Sequence, residues 1–163
     1  MKINIQNLDV QPVELDERIQ LDFISPTIRE YYPNGADVHV RIEKIKKDYR
    51  VYITLKTVAH YRCDRCLDEF DQDFGADIEQ HYHMGAGELL DEDIIRIGED
   101  TTEIDIDPVI AEMMLLNHPL KMLCSEDCKG ICPYCGADLN HEACRCTDVP
   151  IDPRWEKLKG LIK

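Results

Sequence analysis

The sequence predicts an α+β fold in which an antiparallel β-sheet, connected as a meander, packs on one short buried helix and precedes a small cysteine-rich module. Three observations lead to this prediction. Apolar and polar residues alternate in three consecutive runs between residues 37 and 82, as in strands that have one dry and one wet face. An apolar run follows Asp107-Pro108, a start signal for a helix. Six of the eight cysteines fall between residues 124 and 146.

The three alternating runs define the predicted meander. The polar piece Lys46-Lys47-Asp48 makes its first hairpin turn, and Cys63-Asp64-Arg65-Cys66 makes the second. Matching faces across the second turn sets Arg62 against Glu69 and His60 against Asp71, and such opposite charges support a register by about 0.2–1 kcal/mol each. The residues predicted to face inward are Val38, Val40 and Ile42, then Val51, Ile53, Leu55, Thr57, Ala59 and Tyr61, and finally Phe70, Phe74, Ala76, Ile78 and Tyr82.

Shorter signals predict the segments on either side of the meander. Residues 3–8 favour a strand, and residues 14–24 favour either a helix or a strand. Residues 85–100 are acidic and punctuated by glycine, which predicts a mobile connection. Residues 102–106 alternate as a short strand.

Two Asp-Pro pairs predict the two helices. Asp107 is the expected N-cap of a helix over residues 108–117, with Pro108 at its first position. We expect this helix to be buried against the sheet, because it is apolar nearly all round: it contains Val109, Ile110, Met113, Met114, Leu115 and Leu116. Asp152-Pro153 starts a C-terminal helix that has Trp155, Leu158 and Leu161 along one side.

Charge is distributed unevenly along the chain. Of 33 acidic and 19 basic residues, residues 1–120 contain 26 and 12, whereas residues 121–163 contain seven of each. The net charge of −14 therefore arises entirely before the C-terminal cysteine cluster. This balance disfavours a general nucleic-acid-binding surface, because phosphates are bound by basic residues.

Two local basic stretches are nevertheless candidates for contact with RNA, the alternative being that they are solvated turn and helix faces. Arg41, Lys44, Lys46, Lys47 and Arg50 form the first stretch, and Arg145, Arg154, Lys157, Lys159 and Lys163 form the second.

The cellular compartment decides how the cysteines are interpreted. The N-terminus has no continuous apolar segment, and nowhere do about 18 apolar residues run together. We therefore expect a cytoplasmic protein with reduced thiols, which argues against disulfides. Redox catalysis at Cys63 and Cys66 is also disfavoured, because an acidic strand follows Cys66 where a thioredoxin-like site needs a helix N-terminus.

Metal binding is the remaining use of such closely spaced cysteines, and zinc is the first candidate. The favoured partition assigns four ligands to each of two ions: Cys63, Cys66, Cys124 and Cys128 to one, and Cys132, Cys135, Cys144 and Cys146 to the other. Several alternatives are open. Cys124 or Cys128 can belong to the second site, His141 can replace Cys144 or Cys146, and one zinc ion is possible in place of two.

A closed four-thiolate site leaves no position for water, so each site is predicted to be structural. The predicted organisation is an acidic β-rich domain over residues 1–120, a zinc-binding module over 121–149 and a helix over 150–163. Motifs of common nucleotide-binding, metalloprotease and serine hydrolase sites are absent from the sequence. We therefore expect no enzymatic activity.

A set of motifs in a fixed order gives the chain a resemblance to a known family. The motifs are Cys63-Asp64-Arg65-Cys66-Leu67, Asp107-Pro108-Val109-Ile110, the run from Cys124 to Gly136, Asn140, Cys144-Arg145-Cys146 and Asp152-Pro153-Arg154-Trp155. Together they resemble the YceD-like family of large ribosomal RNA subunit accumulation proteins. The resemblance covers about residues 37–163, and the C-terminal run is its most specific part.

The resemblance implies a non-enzymatic protein of bacteria or plastids that is needed for accumulation or processing of 23S ribosomal RNA. The implied partner is a precursor of the large ribosomal subunit, met through 23S rRNA, a basic ribosomal protein or both, with no membrane and no small-molecule substrate. The main alternative is a zinc-stabilised adaptor that binds only proteins. A thiol oxidoreductase or metal-delivery protein is a third.

Overall fold

The computed structural model of the protein describes residues 1–6, 8, 11–86, 93–147 and 154. In chain order the elements are β1 (Lys2–Asn4), β2 (Val13–Ile19), α1 (Pro26–Arg29), β3 (Ala36–Ile45), β4 (Asp48–Arg62), β5 (Glu69–Met84), β6 (Ile94–Ile97), β7 (Glu103–Asp105) and α2 (Asp107–Asn117). Spatial contacts divide the chain into two compact units. Unit 1 comprises Met1–Tyr61 and Phe70–Leu120, and unit 2 comprises Arg62–Glu69 and Lys121–Lys163.

A five-stranded sheet with the order β2-β3-β4-β5-β6 forms the frame of unit 1. β3 pairs antiparallel with both β2 and β4, so that Val40 lies opposite Leu15 on one side and Ile53 on the other. Lys46 and Lys47 join β3 to β4, and Lys46 has a φ of 60° in this turn. These observations confirm the three predicted strands and their first turn. The His60 ring also contacts the Asp71 carboxylate, as the predicted register requires.

Alternation along β3, β4 and β5 produces the core of unit 1. Side chains of residues predicted to face inward are buried throughout, except that Thr57, Phe70 and Ile78 are partly exposed. Val40, Val51 and Leu55 have no accessible surface. Burying an aliphatic side chain of this size contributes about 1.5–3 kcal/mol, so the dry face of the sheet supplies much of the stability of unit 1.

The predicted mobile connection over residues 85–100 is partly wrong. Ile94–Ile97 form β6, which pairs parallel with His81–Met84 of β5, so the sheet is mixed and not purely antiparallel. The Gly85 N–H donates to the Ile97 carbonyl oxygen at 2.9 Å. β6 lies at the edge of the sheet, and Ile95 remains 43% exposed there. The segment therefore lacks the alternation of buried and exposed side chains that identifies an inner strand. Residues 87–92 lie outside the described residues.

Helix α2 corrects two further expectations. Asp107 is already its first residue, and Ile106 occupies the N-cap position, so the predicted cap is wrong by one residue. The helix buries Val109, Ile110, Met113 and Met114, whereas Leu115 and Leu116 are 60% and 71% exposed. The expectation of a buried helix is therefore met on one face only, because the buried stripe follows the 3.6-residue period and leaves Leu115 and Leu116 exposed.

The N-terminal part of the chain contributes two strands. Of the described residues in the predicted strand over 3–8, Ile3 and Asn4 belong to β1, which pairs with β7 so that Ile3 lies opposite Ile104. Val13–Ile19 settles the helix-or-strand alternative for residues 14–24 in favour of a strand. The short helix α1, which begins at Pro26, was not expected from the sequence.

The predicted C-terminal helix over residues 150–163 lies outside the described residues, except for Arg154. Over the described part of the chain, no helix combines the length and apolar character needed to cross a membrane.

Aromatic side chains gather around His118, just after α2. The Tyr32 hydroxyl lies 2.9 Å from the Tyr61 hydroxyl and 3.1 Å from Nδ1 of His118. The rings of Tyr31 and His118 lie 5.1 Å apart between centroids. Burial lowers the pKa of His118 below its ordinary value of 6.5. A neutral imidazole is therefore the form that fits this cluster, with Nδ1 able to accept from Tyr32.

We expect His118→Phe to change both the stability of the protein and its pH dependence. Phenylalanine keeps a ring beside Tyr31 but removes the acceptor for Tyr32, so at pH 7.5 the variant should be less stable by about 1 kcal/mol. The folded pKa of His118 is depressed, so its stabilising effect is complete above pH 6.5 and decreases as the pH falls through that value. Denaturant unfolding at pH 7.5 and 5.5 should show the gap narrowing in acid. Loss of metal in acid lowers the stability of both proteins and cancels in the difference between them. An unchanged difference in unfolding free energy between pH 7.5 and 5.5 would therefore contradict this role of His118.

Candidate metal centres

The β4–β5 hairpin tip is a tight turn that brings two cysteines together. The Cys63 N–H donates to the Asp68 carbonyl oxygen at 2.8 Å, and the Leu67 N–H donates to the Cys63 carbonyl oxygen at 2.9 Å. Leu67 has a φ of 67°, which reverses the chain after Cys66. The sulfur atoms of Cys63 and Cys66 consequently face the same space.

The first cysteine group, called tetrad 1, combines this hairpin tip with the segment that follows residue 120. Its members are Cys63, Cys66, Cys124 and Cys128. The Sγ atoms of Cys63 and Cys128 lie 3.8 Å apart, and those of Cys66 and Cys124 lie 3.6 Å apart. All of its cysteines except Cys124 are buried.

The second group, called tetrad 2, is contained in the C-terminal cysteine cluster. Its members are Cys132, Cys135, Cys144 and Cys146. The Cys132 N–H donates to the Ala137 carbonyl oxygen at 2.8 Å, and the Gly136 N–H donates to the Cys132 carbonyl oxygen at 2.9 Å. Cys132 is the one buried member of the group, since Cys135 and Cys144 are exposed and Cys146 is half-buried.

Both groups have the dimensions of a four-thiolate metal site. Four sulfur atoms at about 2.3 Å from a zinc ion in tetrahedral geometry lie about 3.8 Å from one another. In tetrad 2 the Cys132 sulfur lies 3.5 Å from that of Cys144 and 3.7 Å from that of Cys146, and the Cys135 and Cys144 sulfurs are 3.9 Å apart. A disulfide would need about 2.05 Å. The eight cysteines are therefore free thiols in two groups able to hold metal ions.

The spatial grouping of the thiols is the same as in the favoured partition, whereas the number of metal ions they hold stays a prediction. Cys124 and Cys128 both belong to tetrad 1, and Cys144 and Cys146 both belong to tetrad 2. His141, the alternative ligand, directs Nε2 to the Asp138 carboxylate at 3.7 Å. Asp68 lies close to these two side chains, but the other Asp138 oxygen accepts from Asn140 at 2.9 Å. Close polar contacts and hydrogen bonds among its own residues thus organise this third cluster.

Backbone N–H groups lower the pKa of one thiol in tetrad 1, Cys63, and of two thiols in tetrad 2, Cys132 and Cys135. Burial alone would raise the pKa of Cys63, but N–H groups of Cys124, Cys66 and Arg65 point at its sulfur and lower the pKa to about 6. N–H groups of Ala137 and Arg145 likewise lower the pKa of Cys135 to about 6. A metal ion binds the thiolate form, so each tetrad contains a sulfur that is available near neutral pH.

Two residues between Cys63 and Cys66 hold tetrad 1 together, and sequence reasoning missed them. Asp64 forms a two-way contact with Met122: its N–H donates to the Met122 carbonyl oxygen, and its Oδ2 accepts from the Met122 N–H, both at 2.8 Å. Nη1 of Arg65 donates to the carbonyl oxygens of Cys128 at 2.7 Å and Glu126 at 3.1 Å. The only signal in the sequence was their position inside a Cys-x-x-Cys turn.

The basic residues considered for RNA contact are distributed over both units, and several are already engaged. Arg41 pairs with Glu43, Lys47 with Glu99 at 2.8 Å, and Arg145 with Glu142. The Lys44 ammonium lies 5.6 Å from the centroid of the Tyr49 ring. Lys46 lies in the β3–β4 turn, and Arg50 lies in β4 opposite Glu43. Of the C-terminal basic residues, the described part of the chain includes Arg154 but not Lys157, Lys159 and Lys163.

The fold and the two tetrads define a class: a mostly β protein with few helices that carries two four-cysteine groups able to hold metal ions. The sequence identifies the family within this class. Residues 51–162 match the family described as Large ribosomal RNA subunit accumulation protein YceD, and the chain belongs to it. This finding confirms the resemblance drawn from the motifs. The family is named for accumulation of a ribosomal RNA and not for an enzymatic reaction.

Individual relatives extend the comparison. An uncharacterised protein of Mycobacterium bovis is 29% identical over 130 residues, which cover 77% of this chain and 61% of the relative. The chloroplastic Large ribosomal RNA subunit accumulation protein YCED homolog 1 of Arabidopsis thaliana is 26% identical over 159 residues, covering 79% and 48%. YlbN of Bacillus subtilis is 26% identical over 163 residues, covering 98% and 93%. The chain thus spans under two thirds of the mycobacterial relative. No solved structure matches it.

Proposed function

We propose that this chain is a non-enzymatic, zinc-binding factor that supports accumulation or processing of 23S rRNA and thereby biogenesis of the large ribosomal subunit. The observation that carries the proposal is the family match over residues 51–162. The name of the Arabidopsis relative refers to accumulation of the same ribosomal RNA. The reduced thiols and the expected absence of a membrane segment fit a cytoplasmic protein.

The proposed role of the metal is structural. Zinc suits the site because it favours tetrahedral thiolate coordination and does not change its oxidation state. With four sulfur ligands, the ion would have no open position for a water or a substrate. The proposed ligands are Cys63, Cys66, Cys124 and Cys128 in tetrad 1 and Cys132, Cys135, Cys144 and Cys146 in tetrad 2. We extend the proposal to a zinc module over residues 121–149 and a helix over 150–163.

The proposed partner is a precursor of the large subunit, which the chain meets through 23S rRNA, a basic ribosomal protein or both. The acidic balance, 33 Asp and Glu against 19 Lys and Arg, supports contact with a basic protein. Ion pairs at Arg41, Lys47 and Arg145 reduce the charge that these residues offer to phosphates. The proposed RNA contacts, for which the sequence offers support, are Arg41, Lys44, Lys46, Lys47, Arg145, Arg154, Lys157 and Lys159.

We expect loss of the protein in its host to lower the amount of 23S rRNA relative to 16S rRNA. Expression of the wild-type chain should restore the ratio, whereas a Cys66→Ser, Cys124→Ser variant should fail, because it lacks half of tetrad 1. Quantitative RNA sequencing and sucrose-gradient profiles would measure the ratio and the large-subunit peak. His141→Ala, at an exposed position outside the tetrads, is the matched control and should rescue fully. An unchanged ratio after depletion would exclude the proposed function.

The pairing of basic residues with acidic ones favours a second candidate, the zinc-stabilised adaptor that binds only proteins. The two candidates differ in how binding depends on salt. Direct contact with Z phosphates of single-stranded RNA gives a slope of log K against log salt of about −0.7Z. The adaptor would be favoured if the chain bound a 23S fragment no more tightly than random RNA at low salt and also captured a basic ribosomal protein.

A further inference from the structure

The two tetrads share one short piece of backbone. Cys128 is the last member of tetrad 1 and Cys132 the first member of tetrad 2, so only residues 129–131 separate them. Asn140 lies in the loop between Cys135 and Cys144 of tetrad 2. Asn140 nevertheless forms hydrogen bonds with Cys128 of tetrad 1 and with the neighbouring Lys129.

Asn140 makes contacts in both directions. Its Nδ2 donates to the sulfur of Cys128 at 3.5 Å, and its Oδ1 accepts from the Lys129 N–H at 2.8 Å. Its own N–H and Nδ2 donate to Oδ1 of Asp138, both at 2.9 Å. The same side chain therefore closes the tetrad 2 loop on itself and supplies a hydrogen bond to a tetrad 1 sulfur.

The shared backbone is fixed on both sides. The Leu139 N–H of the tetrad 2 loop donates to the Gly130 carbonyl oxygen at 2.9 Å, and the Ile131 N–H donates to the Arg65 carbonyl oxygen at 3.0 Å. Arg65 belongs to the hairpin tip that carries two tetrad 1 cysteines. Residues 128–131 are thus held between the hairpin tip and the tetrad 2 loop.

From these contacts we propose that metal binding at the two tetrads is positively coupled, and that Asn140 is the positioning residue that couples them. A metal ion in tetrad 2 orders the loop between Cys135 and Cys144 and places the Asn140 amide on the Cys128 sulfur. A hydrogen bond to a metal-bound thiolate stabilises it, because the negative charge on sulfur is shared with a donor. The inference rests on the proposed binding of metal at both tetrads.

Coupling of this kind is reciprocal. An ion in tetrad 1 fixes Cys128 and residues 129–131, which prepares the tetrad 2 loop to close, so each ion raises the affinity for the other by the same factor. Loss of a hydrogen bond next to metal ligands reduces affinity by about 10–100-fold. We expect the coupling factor to fall within this range.

Three measurements of zinc affinity on the full chain test the coupling. Competition with a chromophoric chelator gives the affinity of tetrad 1 alone in a Cys135→Ser, Cys144→Ser variant and of tetrad 2 alone in a Cys66→Ser, Cys124→Ser variant. The overall constant of the wild-type chain should exceed the product of the two single-site constants by about 10–100-fold. Native mass spectrometry at one zinc equivalent should accordingly show less singly loaded protein than two independent sites predict. Equality of the overall constant with the product would overturn the coupling.

Asn140→Asp removes both hydrogen bonds that Nδ2 donates, the one to the Cys128 sulfur and the one to Asp138. Aspartate can still accept from the Lys129 N–H but has no donor for the Cys128 sulfur. We expect it to remove most of the coupling and to shift the sulfur-to-cobalt absorption band of the Co²⁺-loaded protein. His141→Ala, one residue further along, is the matched control and should keep the coupling. An unchanged coupling factor in Asn140→Asp would overturn the role of Asn140, whereas a wild-type chain that binds no zinc would exclude the proposed metal sites themselves.

Discussion

In the zinc-loaded form proposed above, Cys63→Ser should release the tetrad 1 ion and unfold the part of unit 2 around tetrad 1, while tetrad 2 and unit 1 stay folded. The Cys63 sulfur has no accessible surface, and its pKa is lowered to about 6, so it is the tetrad 1 thiol best prepared to bind metal. Structural zinc supplies about 10–16 kcal/mol in zinc-finger peptides. Losing one buried ligand should therefore lower the free energy of unfolding of unit 2 by at least about 4 kcal/mol.

Hydrogen exchange with mass spectrometry would measure the loss in each unit separately. Amides of residues 62–69 and 121–131 should lose protection, whereas those of β3 and β4 up to Tyr61 should keep it, because the core of unit 1 consists of its own apolar side chains. Cys135→Ser is the matched control, since Cys135 is an exposed tetrad 2 thiol whose pKa is also lowered to about 6. It should release one ion at a smaller cost in stability. Full protection and two bound ions in Cys63→Ser would rule out this role of tetrad 1.

The grouping of the cysteines was predictable because spacing and ligand number restrict it. Two pairs separated by two residues each supply half a tetrahedral site, and four ligands per ion favour, without requiring, the assignment of Cys124 and Cys128 to the hairpin tip. The strands were predictable for a similar reason, since a sheet with one dry face requires alternation along β3, β4 and β5. In both cases the determining interactions involve side chains, which the sequence displays.

Interactions with backbone atoms were not predictable in the same way. Arg65 donates to two carbonyl oxygens and Asn140 accepts from a backbone N–H, and every residue type carries such groups. No residue pattern can therefore identify these partners. β6 was missed because an edge strand needs backbone pairing more than a buried face, and its pairing with His81–Met84 depends on the position of β5.

Gly130→Ala should destabilise unit 2 by about 3 kcal/mol or more, for two separate reasons. Gly130 has a φ of +74°, a conformation that costs a residue with a Cβ about 1–2 kcal/mol. The added Cβ would also lie 2.8 Å from the Arg65 carbonyl oxygen and 3.1 Å from the Arg65 Cβ. That carbonyl oxygen accepts from the Ile131 N–H, so the backbone that joins the hairpin tip to residues 128–131 must move. We expect weaker zinc binding at tetrad 1, measured by chelator competition, and a lower unfolding temperature of unit 2.

Gly136→Ala separates these two reasons, because the position has the same backbone conformation without the close contact. Gly136 has a φ of +72°, and a Cβ there would meet nothing within 4 Å. The control should cost only the conformational part, about 1–2 kcal/mol, and should leave zinc binding at tetrad 1 close to that of the wild type. Equal losses in Gly130→Ala and Gly136→Ala would mean that the hairpin tip and residues 128–131 do not pack as closely as the contact between Gly130 and Arg65 requires. We expect the larger loss of stability in Gly130→Ala, confined to tetrad 1 and its surroundings. Only this substitution displaces the backbone that joins the hairpin tip to residues 128–131.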